Sequence, residues 1–469
     1  MKSFTSSLID CTEDKYFRFD EKYHIVLKEN LYNVFNVDNT IKLSEILIED
    51  YCNFEFQDDK EYRGIPTGQE YIDEDGYIID NQPVTKDNHP DRLKYKINSE
   101  NILLSSLRLA KSPALNFHND NVSDCVFSNG FYIFKTRKDW NKKFVLYVLR
   151  HPKIKNLLDN HLYRGIGISA YKVEDLYKCN IKAITPNQQK EAASLIEPIE
   201  QNIFSLKSTI KPAQQIIDEV FQKEFHFDYD KFEELKKISR FDTAMSDFSN
   251  NPDLRFSAKF HRPVGEFVKQ ELAKITDKKI KHFLAEPIVL GASVSPSDYD
   301  ENGEYHYLSM ATIKDWDYNN EEAQLVSDTY ALSKADKTIC KNDIILARSG
   351  EGTIGKVALI EDEDVKAVFA DFTMRIRLKN YNQKFAYYYM RSMYFQYLVE
   401  VYKKGLGNNT NIFPIVIREF PLPDISLDAQ QSFVDKIQSE IDKQTEIKSQ
   451  IADYRNKIDD IIEKTIKEG

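Results

Sequence analysis

The sequence predicts an α+β protein: two tandem copies of one α/β domain, with two long helices that pair antiparallel as an intramolecular coiled coil and separate the copies. Three observations carry this. Segments recur in the same order at a spacing of about 240 residues. Each copy passes from short apolar runs, read as strands, to a helical pattern and then a Gly-x-Gly loop. Each copy closes on a long amphipathic stretch.

The repeats run as follows. "RFDEKYH" (Arg18 to His24) returns as "RFSAKFH" (Arg255 to His261), and "NILLSSLR" (Asn101 to Arg108) as "DIILARSG" (Asp343 to Gly350). The helical segment that begins at Trp140 returns at Tyr381, the loop at Tyr163 returns at Lys403, and Gln188-Gln189 returns as Gln430-Gln431. Runs such as "YHYLSM" and "DIILA", broken by Gly, Asn and Asp, read as strands, and Phe385 to Val401 reads as one helix.

In the second closing helix Val434, Ile437, Ile441, Ile451, Ile458, Ile461 and Ile462 recur at helical spacing between charged residues. That seam spans about 39 residues, roughly 58 Å. The first, from about Asn187 to Phe225, carries Leu195, Ile196, Ile199, Ile203, Leu206, Ile210, Ile216, Ile217 and Val220 on a comparable face. Pro198 and Pro212 remove intrahelical donors and should kink or break it. Neither seam can be buried alone, and a partner of matching length exists in the same chain, hence the coiled coil. The plainer reading is two helices, each packed on its own domain. The expected divisions are 1–186 and 241–427 for the two domains, and 187–240 and 428–469 for the helical spacers.

The net charge of −11 argues against a polyanionic ligand only if it is spread evenly. It is not: residues 1–90 hold nine Lys/Arg against twenty Asp/Glu, whereas 91–185 hold seventeen against eight and 366–421 nine against three. Five scattered cysteines (Cys11, Cys52, Cys125, Cys179, Cys340) with no C-x-x-C pair point to reduced thiols in a cytoplasmic protein and to no metal site. No apolar run approaches the length of a membrane span, so no membrane association is expected.

"RSGEGTIGKVALI" (Arg348 to Ile360) fits two phosphate-binding patterns, G-x-G-x-x-G and nearly G-x-x-x-x-G-K. A P-loop needs a following helix and a Ser or Thr after the lysine; here Lys356 leads into the β-branched "KVALI". The glycines are therefore expected in a hairpin that presents Arg348, Ser349, Thr353 and Lys356. The counterpart "SSLRLAKSPALNF" keeps Arg108 and Lys111 but no glycine, so no phosphate cradle is common to both copies.

These residues resemble a family. The duplicated unit, the R-F-x-x-K-aromatic-H opening, "NDIILARSGEGTIGKVAL", the Gly-x-Gly loop followed by "FPLPDISLDAQQSFVDKI" and the long terminal helix are similar to the specificity subunit of type I restriction–modification enzymes. The resemblance covers almost the whole chain and is strongest from Asp343 to Ile437. It implies a non-catalytic subunit whose two target-recognition domains each read half of a split double-stranded DNA site, while the helices dock methyltransferase subunits, two of them, alongside a restriction (translocase and nuclease) subunit in a complete enzyme. No cofactor is implied. A duplicated reader on a spacer acts as a ruler, and unequal copies give an asymmetric bipartite target.

The candidates for DNA contact are basic, amide and hydroxyl residues on expected loops. They are Arg63, Thr67, Arg108, Lys111, Arg164 and Tyr171 in the first copy. In the second they are Ser309, Thr312, Lys314, Arg348, Ser349, Lys356, Lys403, Lys404, Asn408 and Asn409. Arg375 and Arg377 alternate along a strand and can pair with acids instead, and Tyr454 and Phe204 are expected on the partner-docking surface of the helices.

Catalytic patterns are missing from the sequence. There is no N-P-P-aromatic or D-P-P-aromatic tetrapeptide, no H-x-x-x-H or H-x-E and no G-x-S-x-G, and the carboxylates at Asp73-Glu74-Asp75 and Glu361 to Asp364 read as solvated loops. Two rival readings stay open: an interaction scaffold that uses its coiled coil and binds no DNA, which the net acidity favours, and a nucleotide-dependent enzyme built on the glycine loop.

Overall fold

Short apolar runs become strands and the amphipathic tails become helices in a computed structural model of the chain. It describes residues 21–108, 114–115, 122–165, 169–249, 255–313, 315–321, 323–350, 352–405 and 407–468. Contacts divide the chain into two units, Met1–Thr209 with Lys448–Gly469 (unit 1) and Ile210–Ile447 (unit 2). Six helices matter below: α1 (Lys142–Arg150), α2 (Pro186–Lys207), α3 (Ala213–Phe225), α4 (Gln383–Arg391), α5 (Met393–Tyr402) and α6 (Leu427–Glu468).

Unit 1 holds β1 (Thr40–Lys42), β2 (Leu47–Glu49), β3 (Cys52–Asn53), β4 (Tyr62–Ile65), β5 (Gln82–Val84), β6 (Leu93–Lys96), β7 (Ile102–Ser105), β8 (Cys125–Ser128), β9 (Phe131–Thr136) and β10 (Asn180–Lys182). They form sheets of order β2-β9-β7 and β3-β6-β8-β4-β5, with β1 paired to β10. β4 and β8 run parallel, Gly64 opposite Val126. β7 is buried along its whole length. Because side chains alternate in a strand, Ile102 and Leu104 enter one core with α1 while Leu103 enters a second with Ile65 and Phe127.

Unit 2 repeats this plan with β11 (Val289–Leu290), β12 (Tyr305–Leu308), β13 (Leu325–Val326), β14 (Ile344–Ala347), β15 (Val357–Leu359), β16 (Ala367–Phe369) and β17 (Thr373–Ile376). The sheets are β11-β17-β14-β15 and β13-β12-β16, and the parallel pair recurs as β12 with β16. β14 again divides two cores, Ile344 and Leu346 in one, Ile345 and Ala347 in the other.

One polar joint is conserved between the units and fixes helix to helix. Asn141 caps α1 by accepting from the Phe144 amide at 3.1 Å, and its own amide donates to Gln189 on α2 at 2.7 Å. In unit 2 Asn382 caps α4 at 3.0 Å and donates to Gln430 on α6 at 2.8 Å. Both glutamines are buried and satisfied, donating back to Ile184 and Ile425 carbonyls.

The first closing helix is two helices. α2 ends at Lys207 and α3 starts at Ala213, with Pro212 at its N-cap. α2 runs through Pro198, because that residue and Ser194, whose carbonyl loses its donor, both face solvent, where water serves instead. Within unit 2, α3 lies antiparallel to the first part of α6: Phe221 and Phe225 pack at a tilt on Phe433, ring centres 5.4 and 4.8 Å away, Glu224 pairs with Lys436 at 2.9 Å, and the Lys211 amide donates to Gln444 at 2.9 Å. Within unit 1, Lys182, just before α2, donates to the Lys467 carbonyl near the end of α6, while Lys207 and Arg455 both reach Asp75. The seam of α6 follows: Val434, Ile437 and Ile441 join the unit 2 core and Ile458, Ile461 and Ile462 that of unit 1. Leu195, expected in the seam, is instead exposed.

Two further expectations are corrected. Phe385 to Val401 is broken at Ser392, which adopts an extended conformation between α4 and α5. The break is held from outside: Gln214 on α3 donates to the Arg391 carbonyl and Asp218 accepts from the Met393 amide, each at 2.7 Å. Asp73-Glu74-Asp75 is no solvated loop: Asp73 and Asp75 are buried against Lys207 and Arg455.

Candidate nucleic-acid interface

In unit 2 the segment between β14 and β15 is a hairpin, as its sequence implies. Gly350, Gly352 and Gly355 sit at φ of +86°, +82° and +88°, where a side chain is strained. A Cβ on Gly355 would also come within 2.9 Å of Gln396 and Val399. The amides of Thr353 and Ile354 turn back to the Gly350 carbonyl, that of Gly355 to Ala347 and that of Lys356 to Thr353. Spent on the loop itself, those amides form no cradle for phosphate. What the loop offers a ligand is side chains.

A second loop is laced to the first. Lys404 and Asn411 exchange backbone hydrogen bonds at 2.8 and 2.7 Å across Gly405 and Gly407, and Ser349 pairs with Asn411. The Ile412 amide donates to the Arg348 carbonyl at 2.9 Å, and the Ser349 hydroxyl to the Thr410 carbonyl at 3.1 Å. Arg348 is oriented by two donations, Nε to the Asp371 carbonyl at 2.7 Å and Nη1 to the Asn411 side-chain oxygen at 3.0 Å. A guanidinium held this way is pre-positioned rather than waving in solvent.

In unit 1 the described ends of the corresponding segments are tied by the same backbone hydrogen bonds and carry other side chains. Arg164 and Ala170 exchange backbone hydrogen bonds at 2.9 Å, Leu107 pairs with Ala170, and the Tyr171 amide donates to the Ser106 carbonyl at 3.1 Å. Arg108 donates its amide to the Ser169 carbonyl and keeps an exposed side chain, 3.6 Å from Asp159. Arg164 is ion-paired with Asp175.

The candidate residues thus fall into groups. Arg108, Arg164, Arg348, Ser349, Lys403, Lys404 and Asn409 are brought together on the paired loops of their own units. Lys404 and Asn409 are exposed, and Lys403 is paired with Glu400 at 2.5 Å. Lys356 lies over Trp316, 6.0 Å from the ring centre. Arg63 lies on β4, bound to Asp124 at 2.8 Å, and the guanidinium holds that carboxyl below its usual range. Ser309 accepts from the Ala311 amide in a half-buried turn.

Four side chains expected on the surface are buried: Thr67, Tyr171, Thr312 and Ser349. Tyr171 packs against Tyr132 and Tyr163, and burial raises its phenol far above the ordinary value, so its ring is core rather than contact. Thr312 closes its own turn on the Ser309 carbonyl, and Ser349 is used by Thr410. Thr67 sits against Gly130. Lys111, Lys314 and the Asn408 side chain lie outside the described residues. Arg375 and Arg377 pair with Glu286 and Asp343. Of the expected docking residues Phe204 is exposed, beside Tyr77, and Tyr454 half-buried.

Sequence reasoning missed Asn411, which holds both loops and Arg348, and the exposed rings Phe372 and Phe413 beside that arginine. Setting the two copies side by side was the available signal, since the rings have no aromatic counterpart in the first. Among the described residues no helix is long and apolar enough to cross a membrane.

No family model and no curated protein sequence matches the chain. Among solved structures, a chain from a study of complex assembly and conformational transition of the type I R-M system aligns at TM-score 0.50 and 13% identity, over 91% of this chain and 97% of that one. The HsdS subunit from Thermoanaerobacter tengcongensis aligns over 91% and 96% at TM-score 0.34 and 13% identity. The type I S subunit from M. genitalium aligns over 92% and 96% at TM-score 0.42 and 11% identity. The first likeness, near full length on both sides, gives the present chain the fold of that type I chain.

Proposed function

We propose that this chain, with the fold of a type I restriction–modification chain, is the non-catalytic DNA sequence-specificity subunit of such a complex. Residues 1–186 and 241–427 act as target-recognition domains that each read one half of an asymmetric, bipartite double-stranded site. The segments 187–240 and 428–469 space the two readers as an antiparallel coiled coil and dock two methyltransferase subunits, and a restriction subunit joins in a complete cytoplasmic enzyme. No cofactor or metal is assigned to this chain; methyl transfer and cleavage belong to the partners.

One observation carries the reading. Two loop pairs tied by matching backbone hydrogen bonds present different side chains, Arg108 and Arg164 in one unit, Arg348 and Lys404 in the other. A shared scaffold with unequal contact residues is what a reader of two unlike half-sites requires, since backbone contacts position and side chains specify. The net charge of −11 favours the rival scaffold reading. Selection from a random duplex library, with the chain purified together with its methyltransferase, separates them. The expected product is two unlike half-sites at a fixed spacing, with affinity that falls steeply with salt. No affinity for any duplex at low salt removes the DNA reading.

A further inference from the structure

The paired loops of the two units are tied at their bases by matching backbone hydrogen bonds but carry different side chains there. In unit 2 the Arg348 amide donates to the Phe372 carbonyl at 3.0 Å, and the Ile412 amide to Arg348 at 2.9 Å. In unit 1 the Ser106 amide donates to Gly130 at 2.8 Å, and the Tyr171 amide to Ser106 at 3.1 Å. These bonds fix the correspondence: Arg348 stands where Ser106 does, Phe372 where Gly130 does, and one step on, Phe413 where Lys172 does. Unit 1 has no room for the first ring, because a Cβ on Gly130 would lie 2.9 Å from Thr67 Oγ1.

Phe372 is 47% and Phe413 41% exposed. The Arg348 guanidinium carbon lies 5.8 Å from one ring centre and 6.0 Å from the other, so a fixed cation is flanked by two partly exposed aromatic rings. Exposed rings gathered on two loops beside the hairpin mark a contact surface. The cation chooses the partner: covering it with an apolar protein face would bury a charge with only part of its donors satisfied, whereas the major groove of DNA supplies guanine acceptors for the arginine and thymine methyl groups for the rings.

We propose that Phe372, Phe413 and Arg348 form an apolar and cationic base-contact patch, which the matching described positions of unit 1 (Gly130, Lys172 and Ser106) do not reproduce, and that its rings pack on thymine C5 methyl groups in the half-site that unit 2 reads. This rests on the DNA-specificity reading above. It also supplies a physical reason for the two half-sites to differ: one reader has an aromatic pair where the other has a glycine and a lysine.

The test uses the selected target and the full complex. Each thymine of the half-sites is replaced singly by deoxyuridine, which removes one methyl group and no hydrogen bond. With the unaltered chain, at least one replacement in one half-site is expected to weaken binding about fourfold, the value of one buried methyl. In the F372A/F413A chain that position binds thymine and uracil equally, the other half-site keeps its preferences, and unfolding stays cooperative with only a small fall in melting temperature, since both rings are partly exposed and outside the cores. A thymine preference that survives in the double variant overturns the proposal, as does its absence in the unaltered chain. So does loss of the methyltransferase subunit on substitution, which would make the patch a protein-docking surface. If neither chain binds duplex DNA at low salt, the broader reading fails instead.

Discussion

The Arg348 guanidinium donates through Nη1 to the Asn411 side-chain oxygen at 3.0 Å, and this bond ties the hairpin after β14 to the Gly405 loop. Asn411 touches the scaffold on both sides, so it acts by orienting Arg348. N411A is expected to lower affinity for the selected target about tenfold, the range of a hydrogen bond to a charged group, while affinity for random duplex stays within about twofold. Fluorescence anisotropy on both duplexes checks it. Equal losses on both would mean that Asn411 supports the loops as a whole.

Asp75 is shared by Lys207 and Arg455, at 2.6 Å each. Burial alone would raise its carboxyl, but the two cations reverse that and hold it below the usual carboxylate range. Its stabilisation is therefore present above pH 4 and lost as pH falls through the depressed value. D75A removes the acid that the two cations share while Lys207 keeps Asp73 and Arg455 keeps Glu74, and it is expected to cost about 1–2 kcal/mol at pH 7, less than breaking an isolated buried pair because partners remain and Arg455 is partly exposed. Urea denaturation at pH 7 and pH 3 should show the difference shrinking at the lower pH.

That cluster also shows where sequence reading stops. β14 was legible because a strand buried on both faces must be apolar throughout, and the hairpin because three glycines lead into a β-branched run rather than a helix. Asp73-Glu74-Asp75 was read as solvated because its cations lie 132 and 380 residues away from Asp75. Tyr171 sits in a mixed stretch with no clear period, so its neighbours give no sign that its ring turns inward onto Tyr132. Local pattern reports the backbone; it does not report a partner brought in by tertiary folding.

The break between α4 and α5 is another such case, since its cap comes from 175 residues away. Asp218 accepts from the Met393 amide at 2.7 Å in a buried setting. D218A leaves that amide unpaired and should cost about 1–2 kcal/mol, as for a lost N-cap. D218N keeps an acceptor oxygen and should be within about 0.5 kcal/mol of the parent. Thermal unfolding of both variants decides it, and equal destabilisation would mean that the negative charge, rather than the hydrogen bond, is what the site needs.

Asp459 on α6 gives a prediction of opposite sign. Its carboxyl is pushed up to about 6, first by burial and then by Asp460 and Glu463, with Arg150 opposing. The folded chain thus keeps a proton that the unfolded chain releases near pH 4, and the stability linked to it, full below pH 4, is lost as pH rises through about 6. D459N carries no charge at any pH. It is expected to exceed the parent by about 1–2 kcal/mol at pH 7, a value reduced for partial solvent screening, and to match it near pH 4. His151 titrates in the other direction: burial brings its imidazole down to about 4, so its contribution is lost as pH falls from 6.5. Both proteins contain that histidine, so it cancels when their melting temperatures are subtracted across pH 4–7. A difference that is flat with pH would mean that Asp459 ionises normally in the folded chain.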